Sequence, residues 1–260
     1  MKKITLIILT SLILLSHAFA GSDGENKLSE KLSKPVKDCF EGVNRGIFAF
    51  NEVLDDIIFQ PIAKGYRLLP YPVKSGASNA VENLSNLLTI PNNVLQGEIK
   101  KAGNNSARLA INSTVGILGI FDPATKFGFK KYNKEDYGQT LGSWGVGGGC
   151  YIVLPVLGPS TVRDVVGDIV GLSGGDAWHN ISVRNDTQHF SDFDYYASRG
   201  VKAVDFRAKN LDSFENLEKN SMDFYASVKS LYLQDRKQKI LNSEKQTSSL
   251  DDSNWEEIEG

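Results

Sequence analysis

From Asn44 onward, apolar residues recur at steps of three and four: Ile47, Phe50, Leu54, Ile57 and Ile58, with Asn51, Asp55 and Asp56 between them. That period places the apolar side chains on one stripe of an amphipathic helix. Pro61, which has no N–H and crowds the turn before it, is expected to stop the run. A second helix is predicted to open with Pro72 in its first turn and to end at Pro91. One of its faces carries Val73, Ala77, Val81, Leu84 and Leu88, the other Asn79, Glu82, Asn83 and Asn86. A third is predicted from about Val94 to Val115, with Ile99, Ala102, Leu109 and Ile111 among Lys100, Lys101, Arg108 and Asn112. Gly116 to Pro159 is glycine-rich and reads as loops. Thr161-x-x-Asp164 then resembles a capping box ahead of Val162, Val165, Val166, Ile169 and Val170. Past a polar loop at Gly174-Gly175, a long helix is predicted from about Tyr196 to Leu217. Another follows from Asp223, with Phe224, Val228, Leu231 and Tyr232 on one face and a basic last turn (Arg236, Lys237, Lys239) that suits the helix dipole. The expected fold class is all-α, in a single domain.

The ends of the chain read differently. Lys2 and Lys3, the apolar Ile4–Leu15 and Ala18-Phe19-Ala20 have the order of a secretory signal peptide, so residues 1–20 are expected to be removed on export. Residues 21–37 read as a flexible leader, 38–241 as the helical domain and 242–260 as a disordered acidic tail. The formal charge is −2, or −4 once the two signal lysines are gone, and this argues against a nucleic-acid partner. No run after the signal is long and apolar enough to span a bilayer. Any meeting with a membrane would therefore use amphipathic faces. Periodicity cannot say whether those faces turn inward, to a core, or outward, to lipid.

Catalytic and metal chemistry find little footing. Gly142–Ser160, GSWGVGGGCYIVLPVLGPS, offers Gly145 and Gly147 to a dinucleotide fingerprint, but Cys150 stands at the third glycine and no helix start follows. His179 and His189 lack metal-ligand spacing, and no G-x-S-x-G elbow accompanies them. Asp55-Asp56 and Asp192-x-Asp194 fit helix surfaces and starts better than an acid/base pair. No enzyme activity, cofactor or metal is expected.

Ordered strings then point in one direction. EGVNRGIFAFN (41–51), LDDIIFQPIAKGYR (54–67), SNAVENL (78–84), NNVLQG (92–97), INSTVGILGIFDPAT (111–125), DYGQTLGSWGVGGGCYIVLPVLGPSTVRD (136–164), DFRAKNLD (205–212) and DFYASVKSLYLQDR (223–236) resemble the MlaA (VacJ) family. The resemblance covers nearly the whole mature domain. It implies a ring-like domain of amphipathic helices, with a glycine-rich hairpin loop around a central channel. It implies residence on the periplasmic side of the outer membrane beside a trimeric porin. The implied work is non-enzymatic: mislocalised phospholipid leaves the outer leaflet through the channel and passes to an MlaC-type periplasmic carrier, which maintains lipid asymmetry. By the same resemblance, Gly145, Gly147, Gly148 and Gly149 belong to a hinge-like loop, and Tyr151 and Leu154 to an apolar stretch against lipid or channel wall. Ile47, Phe50, Leu54, Ile57 and Ile58 would face the membrane.

The sequence departs from the family in ending its signal without a lipidated cysteine, so no N-terminal lipid is expected. An apolar face of five such side chains contributes roughly 7–15 kcal/mol on burial, comparable to one acyl chain. The second departure is cysteine at 39 and 150, where the family usually has proline. In an oxidising compartment a Cys39–Cys150 disulfide is expected, with two buried thiols as the alternative. In the tail, Ser253-x-x-Glu256 with Trp255 and Ile258 reads either as a solubilising acidic segment or as a tethered motif that folds on the carrier. The competing reading of the whole chain is a soluble periplasmic binding or scaffolding protein.

Overall fold

The first amphipathic run is helical, but Pro61 does not end it. Helix α1 (Glu41–Leu54) passes into a π-helical turn, Asp55–Phe59, and continues as α2 (Gln60–Arg67). The Gln60 N–H bonds back to the Asp55 carbonyl, so the register has already slipped by one residue where Pro61 has no N–H to give. The wider turn accommodates the proline ring that a regular turn would exclude. The structure, a computed structural model, describes residues 36–185 and 189–241. The signal, the tail and its Trp255 and Ile258, and most of the leader lie outside the described residues.

Pro91 does not end the second helix either. Helix α3 (Tyr71–Leu95) runs through it. Side chains beside it bond back by one turn, Thr89 Oγ1 to the Ser85 carbonyl at 2.9 Å and Asn92 Nδ2 to the Leu88 carbonyl at 2.8 Å. The chain breaks instead at Gln96–Glu98, where Gly97 takes a left-handed φ of 80°, and α4 (Ile99–Thr114) folds back along α3. Bonds from Asn105 to Asn93 (2.9 Å) and from Asn83 to Ser113 (2.9 Å) set the antiparallel register.

The glycine-rich middle is more ordered than expected. It holds α5 (Pro123–Lys126), capped by Asp122, and α6 (Tyr137–Ser143), capped by Asp136. An antiparallel hairpin follows, β1 (Tyr151–Leu154) and β2 (Gly158–Thr161), with Tyr151 opposite Thr161 and Leu154 opposite Gly158. The hairpin turns at Pro155–Leu157, where Val156 has a φ of 67°. The glycine cluster is the lead-in to β1 and not the turn itself.

Helix α7 (Val162–Val170) carries the expected cap, Thr161 Oγ1 accepting from the Asp164 N–H at 3.3 Å. A π-turn at Gly171–Gly175, α8 (Ala177–His179) and a second π-turn at Asn180–Arg184 follow. The predicted Tyr196–Leu217 helix is two: α9 (Asp192–Lys209) and α10 (Leu211–Asn220). They part at Asn210, whose side chain takes the Phe206 carbonyl at 2.8 Å and so competes with the ladder. Helix α11 (Phe224–Ile240) closes the domain, capped by Asp223.

The small apolar cores are local. One joins Tyr151, Val153 and Tyr225, with Val36, Ile47, Phe48, Tyr232 and Leu233 packed on it; another joins Ala63 and Ala208. Elsewhere the usual arrangement is reversed. On α3 the buried positions are Lys74, Gly76, Ser78, Val81, Asn83, Asn86, Thr89, Asn92 and Asn93, while Val73 and Val94 are exposed. The polar face is the more deeply buried one, while of the apolar face Val81 is buried, Ala77, Leu84 and Leu88 are half-buried and Val73 is exposed.

Candidate functional site: a polar interior behind an apolar exterior

The polar face of α3 is the spine of the interior. Ser78, at one end, donates to Asp205 of α9 (3.1 Å), and Lys209 donates to Ser78 (2.6 Å) and pairs with Asp205 (3.2 Å). Towards the other end, Thr140 of α6 donates to Asn92 at 2.6 Å, and Gln96 donates to Thr140 (3.1 Å) and Glu135 (3.0 Å). On the α4 side, Arg108 pairs with Asp122 at 2.7 Å and Asn112 donates to the same carboxylate at 2.9 Å. Burial pushes Asp122 up, but Thr125, Asn112 and Arg108 outweigh it and hold the carboxyl at about 2.

A charged cluster ties the other helices to this spine. Arg236 of α11 reaches Asp136 at 2.7 Å and Asp164 of α7 at 2.7 Å; Tyr232 donates to Asp164 at 2.6 Å and Arg163 pairs with it at 2.9 Å. Burial raises Asp136, and the Arg236 bonds reverse that, carrying the carboxyl down to about 2. Asp168, on the next turn of α7, has no such partner among the described residues. Burial and the neighbouring Asp136 charge push it up to about 6. Burial likewise pushes Glu135 up to about 7, against the bond from Gln96.

Two lysines point at the same spine. Lys134 Nζ donates to Asn86 Oδ1 at 2.7 Å and Lys202 Nζ of α9 to Ser85 Oγ at 3.0 Å. Both keep contact with solvent, yet protein surrounds them: burial pushes Lys134 down to about 8 and Lys202 down as well.

The exterior carries many exposed apolar side chains. Exposed side chains include Phe50, Ile57, Ile58, Ile62 and Leu68 on α1 to α2, Val162, Val166 and Ile169 on α7, and the loop Val115, Ile117, Leu118, Ile120 and Phe121. In that loop Ile117 and Leu118 hold left-handed φ angles of 52° and 56°, unfavourable for branched or bulky side chains. No helix among the described residues is long and apolar enough to cross a membrane. No group of His, Cys, Asp and Glu among them is placed to hold a metal ion.

The residues singled out in the sequence fall in three settings. Phe50, Ile57 and Ile58 are on the exterior, but Leu54 is half-buried and Ile47 packs on the Tyr151 core, because the hairpin lies across that end of α1. Tyr151 lies against neither lipid nor an open interior. Fully buried, it stacks edge-on against Tyr225 and Tyr232. Leu154, the next residue but two, is half-buried. In the glycine cluster, Gly145 and Gly149 have φ of 84° and 72°, and a Cβ on Gly148 would stand 3.1 Å from Val36. A Cβ on Gly147 would meet open space. Cys39 and Cys150 are bonded, with Cα atoms 5.6 Å apart, and beside the disulfide the Tyr151 N–H donates to the Lys37 carbonyl at 2.8 Å. The chain entering the domain is thereby pinned to β1. His179 stacks on Tyr195 and His189 is exposed.

Sequence reasoning missed Asn44 and Asn51. Asn44 donates to the Tyr151 carbonyl (3.0 Å) and accepts from the Val153 N–H (3.0 Å). Asn51 donates to the Leu154 carbonyl (2.9 Å) and accepts from the Val156 N–H (2.8 Å). Their i, i+7 spacing on one helical face was the available signal. Lys134 and Lys202 were missed too, and no local pattern marked them.

Comparison with known proteins agrees with this geometry. The profile of the family described as "MlaA lipoprotein" matches residues 36–239. The Haemophilus influenzae "Intermembrane phospholipid transport system lipoprotein MlaA" is 31% identical over 247 residues, 91% of each chain. The Escherichia coli protein of the same description is 30% identical over 239 residues, 89% of this chain and 86% of that one. An uncharacterized protein of Rickettsia prowazekii is 33% identical over 217 residues, 82% and 80% of the two chains. A solved structure described under "Structural basis for maintenance of bacterial outer membrane lipid asymmetry" superposes with a TM-score of 0.66 at 30% identity, over 78% of this chain and 99% of the other.

Proposed function

This chain belongs to the MlaA family, and from that premise we propose that it maintains outer-membrane lipid asymmetry by letting phospholipid pass from the outer leaflet through its polar interior to the periplasm. The observation that carries the reading is the reversal of burial. Asn83, Asn86, Asn92, Asn93, Arg108 and Gln139 are inside, while Phe50, Ile57, Leu118, Phe121 and Ile169 are outside. In water that arrangement forfeits the hydrophobic term; in a bilayer the outer side chains are solvated by acyl chains and the polar groups satisfy one another. A lipid crossing such a protein needs a wet path for its headgroup while its tails stay in hydrocarbon.

In this reading the helices form a ring in the outer membrane, its lumen lined by α3, α6, α7 and α9, with no catalysis. Glycines 145, 147, 148 and 149 form a pliable lip beside the hairpin. The disulfide and the bonds from Asn44 and Asn51 fix the strands behind it. The signal ending Ala18-Phe19-Ala20 leaves the apolar exterior to hold the protein in place without an N-terminal lipid, unlike relatives named as lipoproteins. A trimeric porin beside the ring and an MlaC-type carrier at its exit complete the route. Trp255 and Ile258 would serve as a tethered contact for that carrier.

A clean deletion tests the reading. It is expected to raise surface-exposed phospholipid, restored by the full chain. An unchanged outer leaflet would overturn it. Carrier capture compared between the full chain, Trp255→Ala and a truncation after Leu241 tests the tail; equal capture by all three removes its role.

A further inference from the structure

Ser85 and Asn86 are consecutive residues on the inward face of α3, and each accepts from an ammonium that arrives on a different element. Lys134 comes from the segment ahead of α6 and Lys202 from α9. Both oxygens they meet are neutral. Ser85 meanwhile donates its own hydroxyl proton to the Val81 carbonyl at 2.8 Å, which leaves its lone pairs for Lys202. Among the described residues neither ammonium has a carboxylate oxygen within 4.0 Å. Four other cations have carboxylate partners: Arg236 with Asp136 and Asp164, Arg108 with Asp122, Arg199 with Asp176, Lys209 with Asp205.

The surroundings sharpen the imbalance. Glu82, one turn back on α3, attracts both lysines, but it also lies 3.8 Å from Lys131. Arg108, Lys131 and Lys202 repel Lys134; Arg199 and Lys239 repel Lys202, which Asp136 draws. Two positive charges near each other, partly out of water and lacking a direct counter-ion, cost free energy that an anion between them would recover. An arrangement maintained at that cost suits a ligand that brings the charge.

We propose that Lys134 and Lys202 form a phosphate-binding subsite in the polar interior, which holds the headgroup phosphate of a phospholipid in transit. This rests on the transport reading above and names the contact through which the interior holds its cargo. The ammonium groups arrive from different elements at adjacent residues of one helix, and in this proposal the phosphate takes one from each while Asn86 and Ser85 position them. No covalent bond is made or broken; the lysines supply transient charge-assisted hydrogen bonds, which lengthen the dwell of phospholipid relative to uncharged lipid.

The experiment titrates the detergent-purified mature chain with dihexanoyl phosphatidic acid, inorganic phosphate and dioctanoylglycerol, which lacks phosphate. Lys134→Gln with Lys202→Gln is expected to weaken phosphatidic acid binding about tenfold or more, a difference of about 1.4 kcal/mol. Lys134→Arg with Lys202→Arg is expected to stay within about threefold, since charge is kept. Dioctanoylglycerol is expected to bind all three forms alike. Lys219→Gln, on the outer surface of α10, is the folding and charge control, and helical circular dichroism with melting reports whether each variant is folded. Wild-type affinity for phosphatidic acid is expected to fall as salt rises, an arm that needs no variant. Undiminished binding by the glutamine pair, or salt-independent binding by the wild type, overturns the subsite and leaves the transport reading standing. Inorganic phosphate bound as tightly as the lipid makes it a free-ion site and also overturns it. Wild-type protein that binds no short-chain lipid overturns both.

Discussion

Arg236 shows what one residue does in an interior of this kind. Its guanidinium bridges Asp136, the cap of α6, and Asp164, on the first turn of α7, so removing it leaves Asp136 desolvated without a cation and Asp164 with Arg163 alone. Arg236→Met is expected to cost about 3–5 kcal/mol, read as loss of melting temperature at neutral pH. Asp136 is held below its unfolded value, so its contribution is present above about pH 4 and is lost as pH falls through the folded value of about 2. Wild type is expected to lose more stability over that window than Arg236→Met, which keeps only the loss from carboxylates such as Asp122 that Arg236 does not touch. Glu135 behaves oppositely. Its folded value of about 7 lies above the unfolded one, so stability is full below about pH 4 and lost as pH rises through 7. Glu135→Gln, which keeps an acceptor for Gln96, is expected to melt several degrees higher than wild type at pH 8 and nearly level with it at pH 4.5. Equal shifts at both pH values would refute the assignment.

At the scale of elements, the α1–hairpin joint and the apolar faces each carry a consequence. The Cys39–Cys150 bond spans 111 residues and ties the entering chain to β1. A loop of that length constrains the unfolded chain by roughly 4–5 kcal/mol on the chain-entropy account. Cys39→Ser with Cys150→Ser is therefore expected to melt well below wild type in oxidising buffer and level with wild type in reductant. The outer face of α1 and its π-turn is a separate matter. Ile57→Asp with Phe50→Asp replaces exposed side chains that touch little protein, so melting in detergent is expected to hold. Each change removes about 2–3 kcal/mol of partitioning into lipid, and flotation with liposomes is expected to fall. A variant that unfolds instead would mean those residues are core.

The molecule as a whole has an apolar outside and an amide- and charge-rich inside, a combination that water does not support. Removed from lipid and detergent, the protein is expected to self-associate through its exterior, seen as large species in sedimentation; a stable monomer would contradict the membrane reading. That exterior stands in the same relation to the proposed route as the interior does, one holding the protein in hydrocarbon and the other offering the headgroup its polar path.

Periodicity alone determined that the chain is a series of amphipathic helices, because an i, i+3, i+4 pattern is a local property of the residues and their caps. The Thr161 and Asp223 starts and the signal-like end could be read in the same way, and the ordered strings carried the family. What tertiary structure decided was the direction of each face. The Asn83–Asn86–Asn93 side of α3 turns inward because Ser113, Asn105, Thr140 and Lys134 meet it there, and those partners come from elsewhere in the chain. Pro61 and Pro91 read as stops because the sequence shows neither the π-turn that accommodates the first nor the packing that carries α3 through the second. Tyr151 became core rather than a face against lipid or channel wall because Tyr225 and Tyr232 arrive from α11. Lys134 and Lys202 could not be paired from sequence at all: they lie 68 residues apart, and only the packing of α9 against α3 brings both ammonium groups onto adjacent residues of one helix.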